Sequence, residues 1–344
     1  MPNRRDFVRW GVLGALMLGS SRLSARNVLT PTLKVPNPLI PPRLKPGDKV
    51  AVVGLAGAVW NQKVISSFKL ILKDLGLTAW LAPSVYLRDG YLSGTDEDRL
   101  KDLQQALLDP EVKAVFCIRG GWGTARLVEE IDWTWFTENP KIIIGFSDIT
   151  FLINAINHRT GLVTYHGPVG NSGWNSFTVD ALKNALFEAE PLQLSLTRSQ
   201  AIKAKIRRPG KATGALIGGN LCVFASMLGS PYFPDCQGKI LVLEEIGEEP
   251  YRIDRMLTSL RLAGVFSQIS GLVLGQFTDC SPASPQQSYS LSEVLHQHFG
   301  AAPFPVLSNA PFGHTENNWT LPLGIEASLD ADLGTLTYAN PVVK

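Results

Sequence analysis

Short apolar runs alternate along this chain with longer stretches whose apolar residues recur at helical spacing, and the alternation starts near Lys49. Lys49 to Gly54 reads as a strand, and Val64, Phe68, Ile71 and Leu75 then fall on one helical face. Ala79 to Val85 reads as a second strand. Thr95 and Asp98 have the spacing of a capping box ahead of Leu100, Leu103 and Leu107, which continue one face. Glu111 to Ile118 and Lys141 to Phe146 supply a third and a fourth strand. Strands that alternate with helices predict a parallel sheet covered on both faces, an α/β domain of flavodoxin- or Rossmann-like kind.

The character changes after the helical stretch Val179 to Ala189 and the basic, strand-poor stretch Arg198 to Lys211. Lys239 to Leu243 is a buried strand ending at Glu244, Pro250 to Leu260 reads as a helix, and Leu272 to Phe277 is another apolar strand. Thr320 to Ile325 and Thr335 to Tyr338 suggest short strands with glycine turns. The expected organisation is an α/β domain over residues 47–195 and a smaller β-rich carboxy-terminal domain over residues 205–344.

The residues before this body differ in kind. Arg4-Arg5-Asp6-Phe7, an apolar stretch from Trp10 to Leu18 and then Leu23-Ser24-Ala25 read as a twin-arginine export signal over residues 1–25, which would make the protein periplasmic. A membrane span needs about 20 apolar residues, roughly twice this run, so no stable span is expected once the signal is removed. Residues 26–46 carry prolines at positions 31, 36, 38, 41 and 42 without apolar period and read as a linker.

Composition narrows the chemistry. The 344 residues carry 32 basic and 30 acidic side chains, a net charge of +2, and the basic residues are scattered, which argues against a nucleic-acid partner. Cys117, Cys222, Cys236 and Cys280 are far apart, with no C-x-x-C spacing, and read as buried free thiols. His296 and His298 are two apart and no H-E-x-x-H occurs, so no metal site is expected. Gly120-Gly121-x-Gly123 lacks the G-x-G-x-x-G spacing of a dinucleotide loop.

The positive signal is Ile142-Ile143-Ile144-Gly145-Phe146-Ser147-Asp148, an apolar strand that ends in a glycine, a serine and an acid before a helical pattern begins. A serine at such a corner is pushed clear of the backbone, and the first amides of the following helix point toward any oxyanion beside it. A hydroxyl nucleophile also needs a base and a group to orient that base. His158, late in the helix that Ser147 begins, reads as a solvated helix end. His166, in Tyr165-His166-Gly167-Pro168, competes with His314, which lies in Phe312-Gly313-His314-Thr315-Glu316. Glu244, at the end of a buried strand, needs a partner such as a histidine, although from spacing alone it reads nearly as well as a helix-capping acid beside Glu245, Glu248 and Glu249. Ser66-Ser67-Phe68-Lys69 matches S-x-x-K of penicillin-binding enzymes, but the accompanying motifs fail in detail and core packing explains this helix.

Taken in order, Ser93-Gly94-Thr95-Asp96, Ile118-Arg119-Gly120-Gly121-Trp122-Gly123, Gly145-Phe146-Ser147-Asp148, Tyr165-His166-Gly167-Pro168, Gly218-Gly219-Asn220-Leu221, Leu243-Glu244-Glu245, Tyr251 to Leu257 and Gly313-His314 resemble the L,D-carboxypeptidase family. Its members are serine peptidases that trim murein tetrapeptides, and they include the microcin-immunity peptidases. The resemblance implies Ser147 as nucleophile, Glu244 as acid and His314 as base, with the oxyanion hole at the amide of Asp148 and an amide in the Arg119-Gly120-Gly121 loop. Arg119 and Trp122 are candidates for substrate contact, with a structural role for Arg119 equally open. It further implies a murein peptide substrate, no cofactor, and a homodimer with its site between domains. Many members carry a Pro-Ser pair after the first strand, where this chain has Gly54-Leu55-Ala56-Gly57. A microcin-immunity peptidase and a muropeptide-binding protein without catalysis are the alternatives.

Overall fold

The computed structural model describes residues 38–202 and 207–344. The expected export signal therefore lies outside the described residues. Strands are β1 (Lys49–Val53), β2 (Thr78–Leu81), β3 (Val112–Cys117), β4 (Ile142–Gly145), β5 (Thr164–His166), β6 (Leu192–Ser195) and β7 (Arg207–Arg208). They continue as β8 (Lys211–Asn220), β9 (Ile240–Ile246), β10 (Gly271–Thr278), β11 (Val306–Leu307), β12 (Leu321–Leu323), β13 (Glu326–Asp330) and β14 (Thr335–Tyr338). Helices are α1 (Gln62–Asp74), α2 (Asp96–Leu108), α3 (Thr134–Glu138), α4 (Ile149–Thr160) and α5 (Ser176–Leu186). The remaining five are α6 (Arg198–Ile202), α7 (Leu221–Ser226), α8 (Pro250–Leu262), α9 (Val265–Gln268) and α10 (Leu291–Phe299).

Two sheets organise the molecule. The first has the order β12-β5-β4-β3-β1-β2, parallel throughout except for β12, which runs antiparallel to β5. Its strands are apolar on both faces because helices cover both. In β4, Ile142, Ile143 and Ile144 have no exposed surface, and full burial of each such side chain contributes about 1.5–3 kcal/mol. On α1, Ile65, Phe68 and Leu72 are the buried stripe, while Ser66 and Lys69 of the S-x-x-K string point outward. The capping box at Thr95 and Asp98 forms as expected at the start of α2.

The second sheet has the order β6-β14-β13-β8-β9-β10-β11-β7. It is mixed, with β8, β9, β10 and β11 mutually parallel and β13, β14, β6 and β7 antiparallel to their neighbours. It is β-rich as expected, with eight strands against six in the first sheet.

The two halves are not consecutive blocks. Strand β6, expected within the first domain, pairs with β14, because its alternating buried Leu192 and Leu194 cover an otherwise open edge of the second sheet. Strand β12 returns to the first sheet with all three residues buried. Residues 38–46 also depart from the expected linker. Leu39 bridges to Leu162, Leu44 is buried, and the amides of Arg43 and Lys344 donate to the carbonyls of Lys344 and Pro41.

Candidate active site

The site begins at the end of β4. Gly145 must lack a side chain, since a Cβ there would sit 2.8 Å from Cγ2 of Ile149. Two residues on, Ser147 has φ +63°, one of few non-glycine residues in the left-handed region, and its strain lifts the hydroxyl out of the strand-to-helix corner. Asp148 precedes α4, but its carboxylate turns away from the helix and accepts from the amide of Thr124 at 2.8 Å. The Thr124 hydroxyl lies 2.7 Å from the carbonyl oxygen of Asp148 and 3.0 Å from its Oδ2. Burial pushes the Asp148 carboxyl upward in pKa, against the pull of the Thr124 donors and the Arg99 guanidinium.

Those contacts fix the glycine loop beside Ser147. Gly120 abuts it so closely that a Cβ would fall 2.6 Å from Cβ of Ser147 and 3.2 Å from the amide nitrogen of Asp148. Its carbonyl accepts from the amide of Gly57 at 3.0 Å. Arg99, fully buried, donates to the carbonyls of Leu55 at 2.6 Å and Gly123 at 3.0 Å and pairs with Asp96, tying the loops at both sides of Gly120 to α2. The amides of Gly121 and Asp148 donate to no protein acceptor among the described residues, so both are free to face a developing oxyanion.

Glu244 comes from the second sheet. It lies in β9, which runs on past the expected end to Ile246, and strand alternation separates it from Glu245. Glu245 accepts from Asn220 Nδ2, the amide of Cys222 and its neighbour Ile246, so it is the acid that serves the start of α7. Fully buried Glu244 instead accepts on Oε2 from His314, at 2.8 Å from Nδ1 and 3.3 Å from the backbone amide. Nε2 of His314 lies 3.2 Å from Oγ of Ser147. Oε2 already accepts from the backbone amide of His314, so Nδ1 is the donor to it as well and Nε2 is left to accept from the serine hydroxyl.

The loop that carries His314 is held from both sides. Asn318 braces Gly313 through 3.1 Å bonds to its amide and its carbonyl, and the Thr278 hydroxyl donates to the His314 carbonyl at 2.6 Å. From α5, Thr178 donates to the carbonyl of Glu316 at 3.0 Å and accepts from the amide of Asn318 at 3.1 Å. Gly313 has φ +100°, and a Cβ on it would strike the Glu244 carboxylate.

The structure thus brings Ser147, Glu244 and His314 together and leaves the other candidates apart. His166 is fully buried between Phe146 and Phe312 and forms no hydrogen bond to Ser147. His158 is half-buried at the far end of α4, beside a small cavity that also touches Asp235 and Lys239. His298 pairs with Asp254. Among the described residues no cluster suits a metal ion, and no helix is long and apolar enough to cross a membrane. All four cysteines are free, with Cys117, Cys236 and Cys280 buried but Cys222 exposed, because it sits on the outer face of the short helix α7.

A cleft of about 800 Å³ opens over Ser147 and His314, lined by both sheets' loops. Arg119 borders it, one guanidinium nitrogen donating to the carbonyl of Ala58 at 2.7 Å. Trp122 does not line it, and its side chain stands about half exposed. The rest of the wall includes Asn171 and Ser172 after β5, Ile246 and Thr278 at the ends of β9 and β10, and Glu316 two residues beyond His314, which come together only when these segments meet. A hydroxyl, a base and an orienting carboxylate beside two free amides can carry out acyl transfer through a covalent intermediate.

Comparison with known proteins points the same way. Residues 50–167 match the amino-terminal domain of LD-carboxypeptidases and residues 213–329 match their carboxy-terminal domain. A probable murein peptide carboxypeptidase of Bacillus subtilis is 38% identical over 291 residues, 84% of this chain and 91% of its own. The murein tetrapeptide carboxypeptidase of Pseudomonas aeruginosa is 33% identical over 294 residues, 83% of this chain and 94% of its own. The structure of MccF in complex with glutamyl sulfamoyl guanosine shares the fold with a TM-score of 0.82, covering 89% of this chain and 100% of its own at 23% identity.

Proposed function

Because the chain belongs to the LD-carboxypeptidase family, we propose that it hydrolyses the L,D-peptide bond that releases the terminal D-alanine of murein tetrapeptides. The observation that carries this reading is the unbroken relay from Oγ of Ser147 through His314 to Glu244. In it, Ser147 attacks the scissile carbonyl while Nε2 of His314 takes the hydroxyl proton. The tetrahedral oxyanion is held by the amides of Asp148 and Gly121, fixed donors aimed where charge develops. His314 then protonates the leaving amine of D-alanine, and water, activated by the same imidazole, hydrolyses the acyl-enzyme. Glu244 holds the Nδ1–H tautomer and stabilises the imidazolium in both halves. Arg119 would grip the terminal carboxylate of the substrate, a role supported by its position at the cleft wall and by the fit of a guanidinium to a carboxylate.

We further propose that the protein acts on the cell wall after export by the twin-arginine route and works as a homodimer. A peptide substrate found outside the cytoplasm and the Arg4-Arg5-Asp6-Phe7 pattern support the first of these. Mass spectrometry of a murein tetrapeptide incubated with the protein tests the activity. Loss of one alanine by the parent and none by Ser147→Ala supports a serine carboxypeptidase, whereas intact peptide in both leaves a muropeptide-binding protein.

A further inference from the structure

Near the relay, three buried side chains hold polar atoms that no group among the described residues satisfies. They are both ring nitrogens of His166, Oε1 of Glu244 and Oγ1 of Thr320. The fold collects them from β5, β9 and the residue that precedes β12. His166 ends β5, its ring edge-on to Phe146 and Phe312 at centroid distances of 5.7 and 5.6 Å. Its Nδ1 side is open only because residue 219 is glycine, where a Cβ would lie 3.0 Å from that nitrogen. Gly219 and Asn220 of β8 stand opposite Leu243 and Glu244 of β9, so this gap leads to the strand that carries the relay acid. Just before β12, Thr320 reaches the residue after His166, with its Oγ1 3.1 Å from where a Cβ of Gly167 would be.

A buried carboxylate oxygen with no donor is costly, and buried polar atoms of native proteins are joined directly or through bound water. An acceptor, a hydroxyl and an imidazole offer the two to four partners that such a water needs. We infer that His166 is a positioning residue of the relay: through a buried water shared with Thr320 it supplies a donor to Oε1 of Glu244, leaving Oε2 for Nδ1–H of His314. This inference rests on the reading of Ser147, His314 and Glu244 as a catalytic relay.

Charge agrees with the geometry. Burial pushes His166 down to about 4, so it is neutral at neutral pH and adds no second cation beside His314. The titratable groups that face it are Glu244 from β9, which favours its cation, and His314 from the loop before β12, which opposes it. The other segments that pack on it present Phe146, Phe312 and Gly219, none of which titrates.

Removing the donor to Oε1 makes the anionic pair less stable relative to its protonated form, so the first protonation of the His314–Glu244 pair moves to higher pH. The variants are His166→Phe, which keeps ring shape without a donor, His166→Gln, which restores an N–H, and Thr320→Val, which removes only the hydroxyl. The readouts are an NMR titration of His314 in histidine-labelled full-length protein, which needs no substrate, and the pH profile of kcat/KM on tetrapeptide. His166→Phe and Thr320→Val should raise the midpoint of His314 and the acid limb together by about one pH unit. They should lower kcat by about ten-fold with KM little changed, and His166→Gln should recover most of both. If His166→Phe fails to fold, Thr320→Val decides alone. A folded His166→Phe or Thr320→Val whose His314 titrates like the parent overturns the inference, as does a His166→Gln shifted as far as the phenylalanine variant. A shifted midpoint in a protein whose parent cleaves no tetrapeptide upholds the network and overturns only the assigned reaction.

Discussion

Gly313→Ala puts one methyl group where the structure allows none, and its effect follows from two independent costs. At φ +100° an alanine is strained by about 1–3 kcal/mol. The new Cβ also meets Oε2, Cβ and Cγ of Glu244, a fully buried side chain held through Oε2 by His314. Relief requires either the carboxylate or the His314 loop to move, and both routes stretch the 2.8 Å bond from Nδ1 of His314 to Oε2. A hydrogen bond to a charged group contributes about 1.5–3 kcal/mol, so the combined loss of stability should reach about 3–5 kcal/mol. Catalysis should suffer more than binding, because a misplacement of about 1 Å in a relay costs about 100-fold in rate. Steady-state kinetics on murein tetrapeptide should show kcat down about 100-fold or more with KM within about three-fold, alongside a lower midpoint in urea unfolding. A Gly313→Ala protein with parental kcat and parental stability would refute the claim that this glycine makes room for the carboxylate.

Other perturbations probe the frame of the site. Arg99→Met should leave the carbonyls of Leu55 and Gly123 without donors, costing about 2–4 kcal/mol of stability, and should lower kcat about ten-fold or more at near-constant KM by loosening the loop at Gly120; chemical unfolding and steady-state kinetics check it. Because His166 is held near 4 when folded against about 6.5 when unfolded, the unfolded chain binds the extra proton between those values. Stability should therefore be full above pH 6.5 and fall by about 3 kcal/mol as pH drops toward 4, and urea titrations of His166→Gln should show a shallower fall. A maleimide should label Cys222 before the other thiols in native protein, with Cys117 and Cys236, pushed up to about 12 by burial, reacting only after unfolding; peptide mapping reads the order.

Much of this architecture is legible in the residues because local pattern and tertiary role agree. Ile142 to Ile144 followed by Gly145 reads as a buried strand with a sharp exit, and the left-handed φ of Ser147 is what that reading requires. The α1 and α2 periods and the Thr95 capping box are equally local. Elements that depend on distant partners are not legible. Lys211 to Asn220 forms a ten-residue strand although glycines at 214, 218 and 219 argue against one, because side chains at 214 and 218 would collide with the carbonyls of Gly238 and Val242. Pro83 starts a 3₁₀ turn where the apolar run Ala79 to Val85 suggests a continuous strand. The choice between His166 and His314 could not come from spacing, since both sit in glycine-flanked segments. It follows from the bracing of the His314 loop by Thr178 and Asn318, contacts that span some 140 residues of chain. Likewise Glu244 and Glu245 are separated only by which face of β9 each occupies.

The proposed catalysis depends on a hydroxyl from the first sheet being activated by an imidazole and a carboxylate held by the second. Covalent labelling with a fluorophosphonate, followed by peptide mapping, tests this most directly. The adduct should form on Ser147 in the parent and at least about 100-fold more slowly in His314→Ala. An adduct on another residue, or labelling of Ser147 at the parental rate without His314, would contradict it.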